Sequence, residues 1–212
     1  MKYKHVIWDW NGTLLNDVCL AIECMNNMLG KRNMVLINRE KYREIVNLPI
    51  KDYYKKLGFD FAKEAFENLC YEFLKEFDSR IMECDLHKNC IKILSIIKEN
   101  GILQSVLSAA NVKTLKESLK RYKITDYFDY IIGQDDHFAG SKIDKGLALI
   151  ENLGIDPSRV LLIGDLTHDY EVAKAIKCDV ILVSNGHHSE NRLKGCCTSV
   201  VNDLDKLKDM LF

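Results

Sequence analysis

Short apolar segments that end in Asp, Gly or Ser alternate along this chain with longer amphipathic segments. The first runs His5-Val6-Ile7-Trp8 and is followed directly by Asp9, and the clearest, 160–163, ends at Gly164-Asp165. Apolar runs of this length between helical patterns are typical of buried strands in a parallel sheet. The other predicted strands are 102–107, 130–132, 180–183 and 199–201, and predicted helices end at 100 and cover 111–122, 142–153, 168–176 and 203–211. The alternation predicts an α/β fold with a doubly wound parallel sheet.

Residues 16–83 interrupt this alternation with a segment that carries no clear strand. Helical patterns cover 17–30, 39–46, 50–57 and 61–78, and Asp17 is the expected N-cap of the first. In the last helix, apolar residues recur at the four-residue spacing of one helix face, at Phe61, Ala65, Leu69, Phe73 and Phe77. The sequence therefore predicts an α-helical insertion, 16–83, in a core made of 1–15 and 84–212.

Composition narrows the class of protein. The formal net charge is −1, from 30 Lys and Arg against 31 Asp and Glu, and no basic stripe indicates nucleic-acid binding. No apolar run approaches the roughly 18 residues that span a bilayer, and Asp9 and Asn11 interrupt the first apolar segment, unlike a signal peptide. The eight cysteines form no C-x-x-C pair, which disfavours a zinc site. We expect a cytoplasmic protein with reduced thiols, without nucleic-acid or membrane partners.

Polar side chains follow several of the predicted strands. Asp9 and Ser108 each end a strand, and Asp165 and Asp169 lie across a turn into a helix. Lys142 and Lys145 open another helix. Each residue also has an ordinary structural explanation. Asp9 fits an Asx-turn, Ser108 a loop hydroxyl, Asp165 and Asp169 helix caps, and the two lysines a solvated helix end. Because parallel strands end at the same sheet edge, where ligands of such sheets bind, we expect the side chains to converge on one site.

Together these residues resemble the motifs of the haloacid dehalogenase superfamily of phosphohydrolases. Asp9-Trp10-Asn11-Gly12-Thr13 is similar to the first motif, Ser108 to the second, Lys142 to the third, and Gly164-Asp165 with Asp169 to the fourth. The insertion resembles the helical cap of the subfamily that contains phosphoglycolate phosphatases. Within it, 43–49 is similar to the substrate-specificity segment, although Asn47 stands where Gly is usual. The resemblance covers essentially the whole chain and implies a Rossmann-like core.

The resemblance implies a Mg²⁺-dependent phosphatase that acts on a small phosphorylated metabolite, such as a phosphoglycolate-like monoester. Asp9 would be the nucleophile that forms an aspartyl phosphate. The implied metal ligands are Asp9, the Asn11 carbonyl, Asp165 and Asp169. The residues implied to hold the phosphoryl group are Asn11, Gly12, Ser108, Ala109 and Lys142, with Lys145 as the alternative lysine. Arg43 and Lys51 on the cap would contact the leaving group.

Asn11 departs from the family pattern, because phosphatases of this family usually carry a second Asp there as acid and base. An amide side chain has no titratable proton, so it acts neither as an acid nor as a base. His168, His187 and His188 are possible substitutes. The alternatives left open are a phosphoryl transferase or mutase, and a phosphate-metabolite-binding protein with low turnover. A dehalogenase fits less well, since the residue set is one for phosphate and metal. The sequence leaves open whether the protein is a monomer or a dimer.

Overall fold

The computed structural model describes residues 1–134 and 141–212. In chain order, the strands within these ranges are β1 (His5–Trp8), β2 (Leu15–Asn16), β3 (Asp85–Leu86), β4 (Leu103–Asn111), β5 (Tyr130–Gln134), β6 (Val160–Gly164), β7 (Asp179–Val183) and β8 (Ser199–Val201). Six of these described strands form one sheet in the order β5-β4-β1-β6-β7-β8, and every neighbouring pair in it is parallel.

Helices surround this sheet. They are α1 (Val18–Lys31), α2 (Arg39–Ile45), α3 (Ile50–Leu57), α4 (Phe66–Arg80), α5 (Cys90–Glu99), α6 (Val112–Arg121), α7 (Lys142–Leu153), α8 (Thr167–Ile176), α9 (Glu190–Lys194) and α10 (Lys208–Leu211). Short 3₁₀ helices cover Ile81–Glu83, Thr125–Tyr127, Pro157–Arg159 and Leu204–Leu207.

The central strand β1 is buried on both faces, which explains its unbroken apolar sequence. Val6 and Trp8 pack with α5 and α6 on one side of the sheet, whereas Ile7 packs with α7 and α8 on the other. The predicted α/β, Rossmann-like doubly wound fold is confirmed. Because β4 and β6 flank β1 on opposite sides, the chain connections diverge at the carboxyl end of β1, which is where ligands bind in such sheets.

The helices α1 to α4 enclose a hydrophobic cluster of their own, which includes Met28, Tyr42, Tyr53, Tyr54 and Leu69. The chain enters and leaves this helical segment through β2 and β3, which pair antiparallel. The sequence did not predict this two-residue pairing, because strands this short carry no periodic signal.

Several element boundaries differ from the prediction. The helix expected at 61–78 starts at Phe66, and the strand expected at 102–107 continues through Ser108 to Asn111 with an irregular register. The last predicted helix, 203–211, begins as a 3₁₀ turn because the Asp203 carboxylate accepts the Asp205 N–H at 2.8 Å. Helix α9 was not predicted.

In the ranges that the structure describes, no helix is both long enough and apolar enough to span a bilayer. The eight cysteines are all described, and each is free.

Candidate active site

Three carboxylates meet at the carboxyl end of β1. Asp9 follows β1, Asp165 follows the neighbouring strand β6, and Asp169 returns from the first turn of α8. One oxygen from each lies within 4.8 Å of the others, and all three residues are buried. The Asp9 N–H donates to the Ile163 carbonyl at 2.8 Å, which holds the two strand ends together. The convergence expected from parallel topology is present in the structure.

The carboxylate of Asp169 is fixed by the backbone beneath it. Its Oδ2 accepts the N–H groups of Asp165 and Leu166 at 3.0 and 2.9 Å. Gly164 makes this close approach possible, since a Cβ there would lie 2.2 Å from the Asp169 carboxyl carbon. Packing therefore explains Gly164 in the Gly164-Asp165 pair, in addition to the chemistry that Asp165 supplies.

Lys142 supplies a cation to this cluster from the start of α7. Its Nζ donates to Asp9 and, at 2.7 Å, to Asp169. Ser141 and Asp144 form a capping box that begins the helix and thereby positions Lys142. The alternative lysine, Lys145, instead donates to the carbonyl of Gly133.

The charges in this cluster are not balanced. Burial raises the pKa of Asp9 to about 6, with Lys142 acting against the shift and Asp169 adding to it. Burial also raises the pKa of Asp165 to about 8, opposed by His187 and increased by Asp9 and Asp169. The pKa of Lys142 is raised in spite of burial, because Asp169 and Asp9 stabilise its charge. The raised pKa values of Asp9 and Asp165 show that ionising all three carboxylates is unfavourable with a single lysine among them.

This donor set fits a hard divalent cation. Carboxylate oxygens are the ligands such cations prefer, and the raised pKa values of Asp9 and Asp165 reflect a site where added positive charge is favourable. The Thr13 hydroxyl lies 3.0 Å from Asp165 and 3.3 Å from Asp9, and it bridges the two side chains that would hold the ion.

The turn after Asp9 packs directly on Asp165. Gly12 has a φ of +75°, and a Cβ there would lie 2.3 Å from Asp165 Oδ2. Gly186, in the loop after β7, is equally constrained, since its Cβ would lie 2.1 Å from the same oxygen. The neighbouring His187 N–H donates to that oxygen at 2.6 Å. Two glycine backbones therefore enclose Asp165.

Asp17 has a different role from the predicted helix cap. It occupies the N-cap position of α1, but its carboxylate makes no capping hydrogen bond. It turns inward and accepts the Asn11 amide at 2.8 Å and the Gly12 N–H at 2.7 Å, and it lies 3.3 Å from His187 Nε2. Burial opposes ionisation, yet His187 and these hydrogen bonds hold the pKa of Asp17 below its ordinary value.

The three candidate histidines have different surroundings. Burial and the Asp17 carboxylate act in opposite directions on His187, and the net effect raises its pKa to about 9. Its Nδ1 shares a hydrogen bond with the Tyr42 hydroxyl at 2.8 Å. Burial lowers the pKa of His188 to about 3, and its ring joins the Thr167 N–H to the Val46 carbonyl. His168 pairs with Glu171 at 3.0 Å.

A cavity of about 180 Å³ opens above the carboxylates. Its lining includes most of the predicted core-side residues, namely Asp9, Asn11, Ser108, Ala109, Lys142 and Asp169. Ser108 is buried, and its hydroxyl accepts the Ala110 N–H at 3.0 Å. All three candidate histidines also line this cavity.

The two predicted cap residues lie elsewhere. The Arg43 guanidinium donates to the carbonyls of Ser184 and, at 2.7 Å, His188. The Lys51 ammonium lies over the rings of Phe61 and Phe66, 5.5 and 5.4 Å from their centroids. Within 1–134 and 141–212, the cavity lining includes neither residue.

Four residues of the site were not predicted as such: Thr13, Asp17, Tyr42 and Gly186. Thr13 belongs to the first motif, so the sequence contained a signal for it. The other three depend on how the loop at 184–188 meets the start of α1 and α2, which no local pattern reveals.

The model of one protein family, described as haloacid dehalogenase-like hydrolase, matches residues 6–183. Because this span is more than half of the 212 residues, the chain belongs to that family. The predicted family and enzyme class, a hydrolase of this family, are therefore confirmed.

Individual relatives are distant but cover the chain. The phosphoglycolate phosphatase of Aquifex aeolicus is 26% identical over 216 residues, which cover 96% of each chain. Tyrosine-protein kinase PtkA of Mycobacterium tuberculosis is 22% identical over 211 residues, 97% of this chain and 72% of the kinase. The crystal structure of a predicted phosphatase from Clostridium acetobutylicum has a TM-score of 0.84 at 24% identity and covers 100% of this chain and 99% of its own. This similarity to a solved structure, at 24% identity, shows the fold alone.

Proposed function

We propose that this chain is a Mg²⁺-dependent phosphatase of small phosphomonoesters, working through an aspartyl phosphate on Asp9. The observation that carries the proposal is the buried group of Asp9, Asp165, Asp169 and Lys142, of which Asp9, Asp169 and Lys142 line one cavity. Phosphoryl transfer depends mainly on positioning and charge stabilisation, and this group supplies both. The phosphatase relative from Aquifex aeolicus supports the same activity.

In the proposed first step, an Asp9 oxygen attacks phosphorus, and the bond from phosphorus to the leaving oxygen breaks. Lys142 orients Asp9 through their hydrogen bond, and Ser108 with the N–H groups beside it receives the phosphoryl oxygens. In the second step, water attacks the same phosphorus, and Asp9 is released with inorganic phosphate. Asn11 can neither donate the proton that the leaving oxygen takes in the first step nor accept the proton that the attacking water loses in the second, so another group or solvent exchanges both protons.

Asp9, Asp165 and the Asn11 carbonyl are the proposed Mg²⁺ ligands, with Asp169 as a further ligand or as support for Lys142. When bound, the ion neutralises charge on the phosphoryl oxygens. The Thr13 hydroxyl, which donates to both Asp9 and Asp165, would keep these two ligands next to each other when the ion is bound.

We further propose that 16–83 acts as a cap that closes over the cavity, with the core at 1–15 and 84–212. Hydrogen bonds from Arg43 and His188 join the two parts, which supports an anchoring role for Arg43 rather than substrate contact. The free cysteines are consistent with a cytoplasmic location.

The test is phosphate release from a panel of phosphomonoesters over a Mg²⁺ titration. We expect release with Mg²⁺, its loss in Asp9→Asn, and a higher half-saturating Mg²⁺ concentration in Asp165→Asn. Lys145→Met is the matched control, since Lys145 bonds to Gly133 and should leave the Mg²⁺ dependence unchanged. Release that persists in Asp9→Asn would contradict the proposal.

A phosphoryl transferase is the second candidate. Two observations favour it: Asn11 provides no base for water attack, and one relative is named a tyrosine-protein kinase. The two functions differ in how the phosphoenzyme is consumed. Faster loss of the phosphoenzyme on adding a hydroxyl-bearing acceptor, with the phosphoryl group recovered on that acceptor, would establish the transferase.

A further inference from the structure

A second cavity, of about 290 Å³, lies between the helices α1 to α4 and the core. It adjoins the catalytic cavity, because the two share the lining residues Asn11, Tyr42, Val46, Ile50, Ala109 and His187. A substrate whose phosphoryl group lies at Asp9 would therefore extend its leaving group into this second space. Apolar cavities of about 150 Å³ hold one benzene ring, so the volume is sufficient for an aromatic leaving group.

The lining of this cavity is mainly aromatic and apolar. Tyr53, Tyr54, Phe73 and Phe77 contribute from α3 and α4, and Met25 contributes from α1. The ring of Tyr53 packs edge-on against Tyr54, with a 5.9 Å centroid separation, and against Tyr42 at the same separation. These contacts hold the Tyr53 side chain in place. The surroundings favour the flat face of a ring or a compact apolar group.

The charges around the cavity disfavour an anionic leaving group. Its acidic lining residues are Asp17 and Asp78, and among residues 1–134 and 141–212 it has no Lys or Arg in its lining. The basic side chain in this lining is His187, and its Nε2 lies 3.3 Å from the Asp17 carboxylate. A second carboxylate on the substrate would therefore meet two acidic side chains and one histidine that already has a partner. Burying a charge without a partner is strongly unfavourable.

One lining residue, Tyr53, carries a polar atom with no hydrogen-bond partner in the part of the chain that the structure describes. The Tyr53 side chain is buried, with 2% of the residue exposed, and its hydroxyl makes no hydrogen bond within the described ranges 1–134 and 141–212. The adjacent Tyr42 differs, since its hydroxyl bonds with His187. A buried hydroxyl without a partner is destabilising, so a ligand atom that bonds to it gains affinity.

We propose that this second cavity binds the leaving group of the substrate, and that the substrate is a phosphomonoester of a neutral, ring-bearing alcohol with a polar atom for the Tyr53 hydroxyl. This inference rests on the proposed phosphatase function and makes it specific. It disfavours phosphoglycolate, the substrate type that the sequence resemblance suggested, because glycolate carries a carboxylate and only one methylene group.

Three primary alkyl phosphates test the assignment: phosphoglycolate, 2-phenylethyl phosphate and 2-(4-hydroxyphenyl)ethyl phosphate. We expect kcat/KM for both arylethyl esters to exceed that for phosphoglycolate by about tenfold or more, as burial of a phenyl ring implies. Tyr53→Phe should raise KM roughly fivefold for the hydroxyphenyl ester, leave its kcat unchanged and spare the phenylethyl ester. Tyr71→Phe, at a residue that is 69% exposed, is the matched control.

The inference is overturned if phosphoglycolate is the better substrate, or if Tyr53→Phe affects the two arylethyl esters equally. Calorimetric binding of the same esters to Asp9→Asn separates this inference from the proposed function. Absence of turnover in the wild type, with preferential binding of the arylethyl esters to Asp9→Asn, would refute the phosphatase and support the cavity. Turnover together with preferential binding of phosphoglycolate would support the phosphatase and refute the cavity assignment.

Discussion

Lys142 lies between two buried carboxylates, those of Asp9 and Asp169, and its charge is what allows them to be close. A buried cation with two anionic partners contributes little net stability compared with apolar packing, but removing it leaves like charges facing each other. The position of Lys142 is therefore explained by function rather than by net stability. Removing it should nevertheless lower the free energy of unfolding, because Asp9 and Asp169 would then face each other unpaired.

We expect Lys142→Met to lower the free energy of unfolding at pH 7 by roughly 3 kcal/mol, the usual cost of breaking a buried pair. Burial already raises the pKa of Asp9 to about 6, and loss of the lysine raises it further. Because the folded-state pKa lies above the unfolded value, protonation at lower pH relieves the penalty. The loss of unfolding free energy in Lys142→Met should therefore be smaller at pH 5 than at pH 7. Urea denaturation with a chelator present measures it, and Lys145→Met should show a smaller, pH-independent change.

His5 gives the fold a separate pH dependence. Its Nε2 lies 2.9 Å from Ser105 Oγ, and its Nδ1 has no partner within 1–134 and 141–212. Burial lowers the pKa of His5 from 6.5 to about 4, despite the opposing charge of Asp129. The neutral ring therefore stabilises the fold fully above pH 6.5, and this contribution is lost as pH falls towards 4.

The expected loss is at most about 3 kcal/mol between those pH values. His5→Gln keeps a hydrogen-bonding side chain without the titration, so its unfolding free energy should fall less steeply over the same range. Denaturation curves at several pH values measure the two slopes. Equal slopes would show that other groups cause the acid sensitivity.

Asn11 stands where the sequence resemblance implies a second Asp. Its amide donates to Asp17 at 2.8 Å, so an Asp at this position would face another carboxylate. Repulsion would raise the pKa of the new carboxyl and keep it protonated, as a general acid requires.

We expect Asn11→Asp to increase turnover, more for an alkyl phosphate than for p-nitrophenyl phosphate, because an alkoxide leaves poorly without a proton. The gain approaches about 10²-fold at the lower end of general acid catalysis. Steady-state rates on both substrates measure it. A decrease on both would mean that the site requires a neutral amide beside Asp17, and would favour the transferase or binding alternatives.

At the scale of elements, α2 joins the helical segment to the core. Arg43 donates to the carbonyls of Ser184 and His188, and Arg192 donates in return to the Val46 carbonyl at 2.6 Å. The Tyr42 hydroxyl meets His187 in the same region. These contacts tie the helical segment to the loop that carries Gly186 and His187, so the position of this segment and the geometry of the site are linked.

Arg43→Ala should lower kcat/KM by roughly tenfold, the scale of losing a charged hydrogen bond, and by similar factors for large and small substrates. Similar factors are expected because the variant loosens the cap rather than one substrate contact. Lys51→Ala is the control, since the Lys51 ammonium lies over the partly buried rings of Phe61 and Phe66, away from the catalytic cavity, and the variant should leave kcat/KM nearly unchanged. A loss confined to large substrates would return Arg43 to the substrate-binding role that the sequence resemblance implied.

At the scale of the whole molecule, the sheet and its catalytic edge could be predicted because apolar strands lead directly to Asp9 and Asp165. Asp17 could not, since an Asp before a helix is usually a cap and only the folded position of His187 turns it inward. The anchoring of Arg43 also escaped prediction, because its partners are backbone carbonyls more than a hundred residues away. Local patterns thus predicted the strand ends, and tertiary contacts determined the rest.

The most direct test of the proposed aspartyl phosphate is to locate the phosphoryl group on the enzyme. Wild-type protein is mixed with Mg²⁺ and a radiolabelled acyl phosphate, quenched in acid, digested and examined by peptide mass spectrometry. If Asp9 is the nucleophile, we expect an acid-stable label on the peptide that contains Asp9. The label should be removed by hydroxylamine and should be absent in Asp9→Asn. An acid-stable label on a peptide that lacks Asp9, or phosphate release that continues in Asp9→Asn, would contradict the assignment of Asp9 as the nucleophile.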